Sequence, residues 1–425
     1  MQVMAVGLLA LVLSGSAPAQ VIAVQGSVPA STTTPPTHPL TSPMIRAKSE
    51  PATGADWNMR LLQDAAVISA MLPTPVHARD KAKLQEKVGL AYLARGDFAK
   101  AEDMARTIDG WRRATLFAAV ALEHAKAGRA DDARRVVRIA VAASTLGNDW
   151  QRQRAQVMAA RVYAWLGEDA EASRLETGVG EPDMGKVAAA RAERARRSTF
   201  SAEAFDAQMV ALDEWLATRN FDLVRNAVDI ALEYHPAAFA DAVRRARVEE
   251  LVQKANEQLA YDLRIANLLR LAANCEQAGD RAAATAFIAK AEATFGVGKW
   301  LAEDAAVQLA LIAQAKSRSG DAEGCAANLA AALARYDAGR NDIIDIDRGR
   351  PLRAIAEAYA TAGDAAKAQA VFARAVEEGA VNPNARPRAE DLVATMLSMV
   401  AVQIEPEAAL AARMTAIREG LVAPW

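Results

Sequence analysis

The sequence has few of the side chains that enzymes most often use in catalysis. Its 425 residues include only four histidines and two cysteines. Two cysteines are too few for a disulfide framework or for a cysteine-based zinc site. None of the histidines belongs to an H-E-x-x-H pattern, and the chain has neither a glycine-rich phosphate loop after a strand nor a G-x-S-x-G elbow. The sequence therefore predicts no catalytic residue, no metal and no cofactor.

Aromatic residues and an excess of charge of one sign are also scarce. The chain is 5% aromatic and 52% hydrophobic, so its core must be filled mainly by Ala, Leu and Val. Fifty Lys and Arg residues are balanced by 52 Asp and Glu residues, which gives a net charge of −2. Without a basic excess, bulk charge predicts no nucleic-acid partner. After the amino terminus, the sequence predicts no segment that is long and apolar enough to span a bilayer.

The amino terminus has features of a signal peptide. Residues 3–13 form an apolar run that is too short to span a bilayer. Ala17-Pro18-Ala19 then gives the small-x-small pattern that signal peptidase requires. These features predict a signal peptide over residues 1–19, cleavage before Gln20, and a periplasmic or secreted protein. No Lys or Arg precedes the apolar run, so an ordinary amino terminus is the alternative.

A Pro-, Thr- and Ser-rich segment follows over residues 20–56. Such a composition cannot bury a core, and it predicts a disordered linker. Helical patterns begin near Trp57 and continue to the end of the chain.

A short phrase recurs along the helical part of the chain. A glycine, usually followed by an acid, stands at Gly96-Asp97, Gly167-Glu168, Gly279-Asp280, Gly320-Asp321 and Gly363-Asp364, with Gly128-Arg129 as a variant. Five residues after each glycine there is a small residue: Ala101, Ala133, Ala172, Ala284, Cys325 and Ala368. Apolar residues before the glycine follow the i, i+3, i+4, i+7 spacing of a buried helical stripe. The phrase predicts a helix, a turn with the glycine at positive φ, and a second helix capped by the acid.

The phrase resembles the tetratricopeptide repeat family. The match includes a small residue seven positions before the glycine and an aromatic four positions before it in three units, namely Tyr92, Tyr163 and Tyr359. The glycines are 32, 39, 41 and 43 residues apart within the two blocks, whereas the family repeats about every 34 residues. The resemblance implies an all-α, right-handed α-solenoid over residues 57–425.

Its units differ in clarity along the chain. The repeats are clear over about 80–180 and 260–380, and residues 181–260 are helical but lack the phrase. In that irregular middle Asn220 is predicted to replace the glycine. Helices within residues 389–421 are predicted to cap the stack.

The resemblance also implies a concave ligand groove lined by the first helix of each unit. The positions that match the family's groove are Lys83, Glu86, Lys126, Arg154, Arg161, Trp165, Glu276, Gln277, Gln314, Arg318, Arg350, Arg353 and Glu357. Seven of these residues are basic and three are acidic, which favours an acidic protein or peptide as the partner. Trp165 is either an aromatic anchor for that partner or a packing residue at the edge of the groove.

Other conspicuous residues have structural interpretations. His124 stands at a packing position, and His235-Pro236 is predicted to end a helix. Cys275 and Cys325 are predicted to be buried thiols rather than a disulfide. A basic residue fifteen positions before the glycine is interpreted as a local ion pair, with a basic ladder along one edge as the alternative: Lys81, Arg113, Arg152, Arg264 and Arg348.

These observations favour an exported, non-enzymatic scaffold or adaptor that binds a protein or peptide in its groove. One alternative is an enzyme whose site lies in the irregular middle, residues 181–260. Another is a groove that binds an anionic glycan through the same basic residues. The fold alone does not decide among them, because repeat families share a binding mode rather than a reaction.

Overall fold

A computed structural model describes residues 57–179, 181–198 and 201–425. The predicted signal peptide and linker, residues 1–56, lie outside these described residues. The prediction of an all-α repeat fold is confirmed, because the described residues form nineteen α-helices and no strand. The helices are α1 (Trp57–Met71), α2 (Ala78–Ala94), α3 (Phe98–Thr107), α4 (Arg112–Lys126), α5 (Ala130–Ala143), α6 (Asp149–Leu166), α7 (Asp169–Glu176), α8 (Glu181–Ser198), α9 (Ala202–Ala217), α10 (Phe221–Ala238), α11 (Ala242–Asn256), α12 (Tyr261–Gln277), α13 (Arg281–Val297), α14 (Ala302–Ser319), α15 (Ala322–Gly339), α16 (Gly349–Thr361), α17 (Ala365–Ala380), α18 (Ala385–Ala401) and α19 (Ala408–Glu419).

The recurring phrase forms the turns that the sequence predicts. All six of its glycines have left-handed backbone conformations, with φ between 76° at Gly128 and 90° at Gly320. The carboxylates of Asp97, Asp280, Asp321 and Asp364 each accept a hydrogen bond from the backbone N–H three residues later, and so cap the second helix.

The small residues five positions after the glycines are buried in the helix–helix contacts. Five of the six are alanines with no exposed surface, and the sixth, Cys325, is 2% exposed. Both cysteines are buried free thiols, as predicted.

We expect Ala133→Leu and Ala284→Leu each to lower the free energy of unfolding by roughly 1–3 kcal/mol, because a leucine would overpack these contacts. Thermal or urea unfolding measures the effect. Ala127, which is exposed after α4, provides the control position for the same substitution. Wild-type stability of both buried variants would show that the predicted helix contacts are wrong.

The helices form two layers. The even-numbered helices α2 to α18 contact one another in sequence, and most of them also pack against an odd-numbered helix beside them in the chain. We call the nine even-numbered helices the inner ring and the odd-numbered helices the outer layer.

The inner ring closes on itself. The last member, α18, contacts the first, α2, and packs extensively against α1. Asn58 donates a hydrogen bond to Gln403 across 3.2 Å, and Arg418 forms an ion pair with Asp64. One apolar core cluster includes residues from both ends of the described chain, from Leu61 to Leu421.

Ring closure corrects the predicted role of the carboxy-terminal helices. They do not cap an open end, because α18 packs against the amino-terminal helices. The reason is that α1 covers the apolar surface which α18 would otherwise expose to solvent. In an open solenoid a capping helix covers the end of the stack, whereas here the other end of the chain covers it.

The irregular middle contains α8 to α11 and has its own version of the turn. The prediction that Asn220 replaces the glycine is wrong, because the residue in the left-handed conformation is Arg219, with φ 55°. Asn220 instead takes the place of the acid, because its side chain accepts hydrogen bonds from the N–H groups of Asp222 and Leu223 and caps α10. Asn and Asp caps are about equally effective, which explains the substitution.

The basic residues before the glycines join one unit to the previous one. Arg113, Arg264 and Arg348 each donate from Nε to the carbonyl five residues earlier, at 2.7, 2.7 and 3.0 Å. Lys81 similarly donates to the carbonyl of Ala70, whereas Arg152 pairs with Asp149. These contacts show a structural role for the cations. None of the helices among the described residues is both long and apolar enough to cross a membrane.

Candidate functional site on the inner ring

One face of each inner-ring helix is turned toward the interior of the ring. For most of these helices the outer layer covers another face, and the neighbouring inner-ring helices cover the two flanks. We call the remaining surface the inner face. All thirteen groove positions predicted from the resemblance lie on inner-ring helices, namely α2, α4, α6, α12, α14 and α16. The structure thus brings the predicted positions to one layer of the fold.

Three cations of the inner face are already paired with acids from a neighbouring inner-ring helix. Arg318 lies 3.4 Å from Glu276, and Arg350 and Arg353 pair with Asp304 and Asp391. The sequence comparison missed this pairing because residues 38 to 46 positions apart become neighbours only when the units stack. The predicted basic groove therefore has less unbalanced positive charge than its residue count suggests.

Trp165 packs against a cation of its own chain. The Lys126 ammonium lies 5.6 Å from the centre of the Trp165 ring and 3.3 Å from Glu193 of α8. The Trp165 side chain is partly exposed. Its contact with Lys126 supports the packing interpretation, and a partner would have to compete with Lys126 for the ring face.

A group of cations lies where α2, α4 and α16 meet, and Glu390 of α18 is an opposing charge beside it. Lys83 and Lys87 are both exposed on α2. Surrounding protein removes water from Lys87, and the nearby cations Lys83 and Arg353 add repulsion, so the pKa of Lys87 is lowered from its usual value. A lysine whose charged form is disfavoured by burial and by neighbouring cations marks a place where an anion would be stabilised. We call this region the basic end.

Acidic side chains surround Arg161 of α6. Burial lowers the pKa of the Arg161 guanidinium, while four carboxylates on α4, α8 and α10 oppose this effect: Glu123, Glu193, Asp229 and Glu233. The Nε atom of Arg161 is buried without a hydrogen-bond partner in the described residues. Arg161 therefore belongs to an acidic surrounding and not to the basic surface on which the sequence prediction placed it.

Two glutamates of the inner face have raised pKa values. Burial raises the pKa of Glu357, whose carboxylate accepts a hydrogen bond from Ser398 on α18. Burial also raises the pKa of Glu276, although Arg318 opposes the shift. Gln277 follows Glu276 at the end of α12, and Gln314 lies on α14. The inner face is consequently polar and of mixed charge.

His124 has a packing role, as predicted. Its ring is 4% exposed and lies 4.3 Å from the ring of Phe98, beside a surface cavity of about 620 Å³ at the first glycine turn. The guanidinium of Arg129 stacks on the Phe98 ring, 3.8 Å from its centre. Burial lowers the pKa of His124, so the imidazole is favoured in its neutral form.

A second group of chemically active side chains lies in and beside the irregular middle. One ligand-type atom each from His235, Glu249 and Cys275 lies within 4.8 Å of the other two. These residues come from three successive helices, α10, α11 and α12. His235 lies in the last turn of α10, which ends at Ala238, two residues beyond the predicted end at His235-Pro236.

The group is organised by Arg245. Its guanidinium donates to Glu249 and to Asp280 at 2.8 Å each, and it lies 3.8 Å from the sulfur of Cys275. Burial raises the pKa of the Cys275 thiol to about 11 and lowers the pKa of His235. We name His235, Glu249 and Cys275 the triad. Sequence reasoning missed it because its members are 14 and 26 residues apart and match no motif.

Comparisons with known proteins give no family or function. No family model matches the chain, and no curated protein matches it. A solved structure described as a circular tandem repeat protein with novel repeat topology and enhanced subunit contact surfaces shares 15% identity, with 86% of this chain and 94% of that chain covered and a TM-score of 0.26. A similarity at this level carries no argument, so the fold rests on the helices and contacts described above.

Proposed function

We propose that this protein is an exported, non-enzymatic helical repeat scaffold whose inner face binds a polypeptide segment. The single observation that carries the proposal is the closed inner ring, which turns many partly exposed polar and charged side chains toward one interior. The basic end, with Lys83 and Lys87 exposed, favours an acidic segment of the partner. Export rests on the predicted signal peptide, residues 1–19.

Charge complementarity would supply selectivity more than strength. Charges of one sign in a concave surface focus the electric field and raise the rate of encounter with an opposite charge. An exposed ion pair contributes only about 0–1 kcal/mol. Affinity must therefore come from several contacts together, which an extended peptide can make along neighbouring inner-ring helices.

A fluorescent Glu-rich peptide titrated against the protein from the exported fraction tests the proposal. We expect saturable binding that weakens as salt rises, because such charges are screened beyond about 8–10 Å at ordinary ionic strength. Lys83→Glu/Lys87→Glu should abolish this binding. Intact mass of the same preparation should show a chain that begins near Gln20.

The matched control is Lys254→Glu on α11 of the outer layer, where Lys254 is 51% exposed and pairs with Glu250. This variant makes the same Lys-to-Glu change at a position away from the inner face, so it should leave binding unchanged. Equal affinity of the wild type and the Lys83→Glu/Lys87→Glu variant would contradict the proposal. Binding of a sulfated oligosaccharide but not of the peptide would favour the glycan alternative.

The triad favours one further candidate function, an enzyme with a site at the irregular middle. Two of its members, His235 and Glu249, lie within residues 181–260. A His, a carboxylate and a thiol can serve acid–base or nucleophilic chemistry when they are accessible and activated. The raised pKa of Cys275 instead favours the unreactive thiol, so the scaffold is the better-supported proposal.

A further inference from the structure

We propose that the triad of His235, Glu249 and Cys275 is a binding site for a divalent zinc ion. This site is independent of the proposed peptide-binding function, because it lies between α10, α11 and α12 rather than on the inner face. Imidazole nitrogen, carboxylate oxygen and thiolate sulfur are the three ligand types that zinc uses in proteins. Their presence within 4.8 Å of one another supplies the donor set.

The distances require only a modest contraction. Zinc binds nitrogen and oxygen at about 2.0–2.2 Å and sulfur at about 2.3 Å, so tetrahedral ligand atoms are separated by roughly 3.3–3.8 Å. Nε2 of His235 is already 3.4 Å from Oε1 of Glu249. Side-chain rotations of Glu249 and Cys275 can therefore reach the required separations without displacing a helix.

The histidine has an unmet need for a polar partner. His235 has no exposed surface, and its Nδ1 atom has no hydrogen-bond partner among the described residues. An unsatisfied buried polar atom is unfavourable, and native structures leave few of them. Nε2, which faces Glu249, is the nitrogen that would bind zinc, so Nδ1 would still need a polar partner in the filled site.

The local charge favours one more cation. Arg245 provides one positive charge, while Glu249 and Asp280 provide two negative charges at contact distance. When zinc binds, the S–H bond of Cys275 is replaced by an S–Zn bond and the proton leaves to solvent. Zinc, the guanidinium, two carboxylates and one thiolate then sum to zero charge.

Arg245 must yield part of its present position. It now bonds the same Glu249 oxygen that approaches His235. Asp280 can keep the guanidinium in place, because its other oxygen is fixed by the N–H of Ala283 as the cap of α13. Glu249 is the most exposed member of the triad, with 28% of its side chain accessible, so the fourth zinc ligand would be water on that side.

Zinc and cobalt titrations of the chelator-treated full chain test the site. We expect one zinc per chain by elemental analysis after dialysis, a rise in melting temperature with zinc, and a thiolate-to-cobalt charge-transfer band with cobalt. The melting temperature should rise because zinc binds only to the folded state. Cys275→Ser and His235→Gln should each weaken zinc binding by more than about tenfold. Cys275→Ser should also remove the thiolate-to-cobalt band.

Cys325→Ser is the matched control. Cys325 is also a buried free thiol, but it lies near Asp321 and Lys316. This variant should keep wild-type stoichiometry and the cobalt band. Glu249→Gln provides a further ligand variant on the more exposed side, for use if either buried variant does not fold.

Two results would overturn the proposal. One is the absence of stoichiometric zinc binding by the wild type. The other is zinc binding by Cys275→Ser that is as tight as binding by the wild type. If Cys275→Ser does not fold, Glu249→Gln takes its place in this comparison. Either result would identify the triad as a polar packing cluster held by Arg245, and neither would affect the peptide-binding proposal.

Discussion

Replacement of Ile68 by alanine is expected to lower the free energy of unfolding by roughly 2–5 kcal/mol, the usual cost of a large-to-small change in a packed core. Ile68 lies in α1 and has no exposed surface. In an open solenoid, the first helix would pack on one side only. Here α1 is covered by α2 on one side and by α18 on the other, so its core residues are as enclosed as those of a central unit.

The control is Val67→Ala, one position earlier in the same helix. Val67 is 54% exposed, and substitutions at such positions usually change stability by less than about 0.5 kcal/mol. Urea unfolding of the three proteins gives both values. A small and equal effect of the two substitutions would show that Ile68 does not lie in a packed core.

Replacement of Arg353 by methionine is expected to lower the free energy of unfolding by about 3–5 kcal/mol, because it would leave a buried carboxylate without its partner. Asp391 on α18 is 8% exposed and pairs with Arg353 on α16. The carboxylate has little freedom to move away. A β-carbon added at Gly379 of α17 would lie 2.1 Å from one of its oxygens.

A second Arg–Asp pair provides the control. Arg374 and Asp337 are 2.6 Å apart on α17 and α15, and their side chains are 42% and 55% exposed. Arg374→Met should therefore change stability by only about 0–1 kcal/mol. If Arg353→Met has an equally small effect, the Asp391 carboxylate reaches water, and Arg353 is available to a ligand as the sequence predicted. Adding Asp391→Leu to Arg353→Met should recover much of the loss, because an apolar replacement of a buried pair is often neutral.

This second result bears directly on the candidate site. Arg353 was predicted from the sequence to contact a ligand, together with Arg350 and Arg318. The structure shows each of them paired with an acid from a neighbouring inner-ring helix. A large loss of stability would assign Arg353 mainly to ring assembly. Lys83 and Lys87 would then be the better candidates for recognition, because they are exposed and lie beside other cations.

The sequence by itself determined the local structure of this protein. Positive φ at the turn glycines, caps at residues such as Asp97 and Asp280, and burial of Ala133 and Ala284 all agree with the predictions. These features depend on side chains within one helix–turn–helix unit. A residue type at a fixed spacing is enough to specify them, because the interacting groups are only a few positions apart.

Only the tertiary structure decided how the units combine. Closure of α18 on α1 and α2, the pairing of Arg353 with Asp391, and the meeting of His235, Glu249 and Cys275 depend on residues from different helices. Each depends on the rotation and offset between successive units, which accumulate along the stack. Small changes in helix length and crossing angle separate a ring from an open solenoid, and the spacing of glycines in the sequence does not encode those angles.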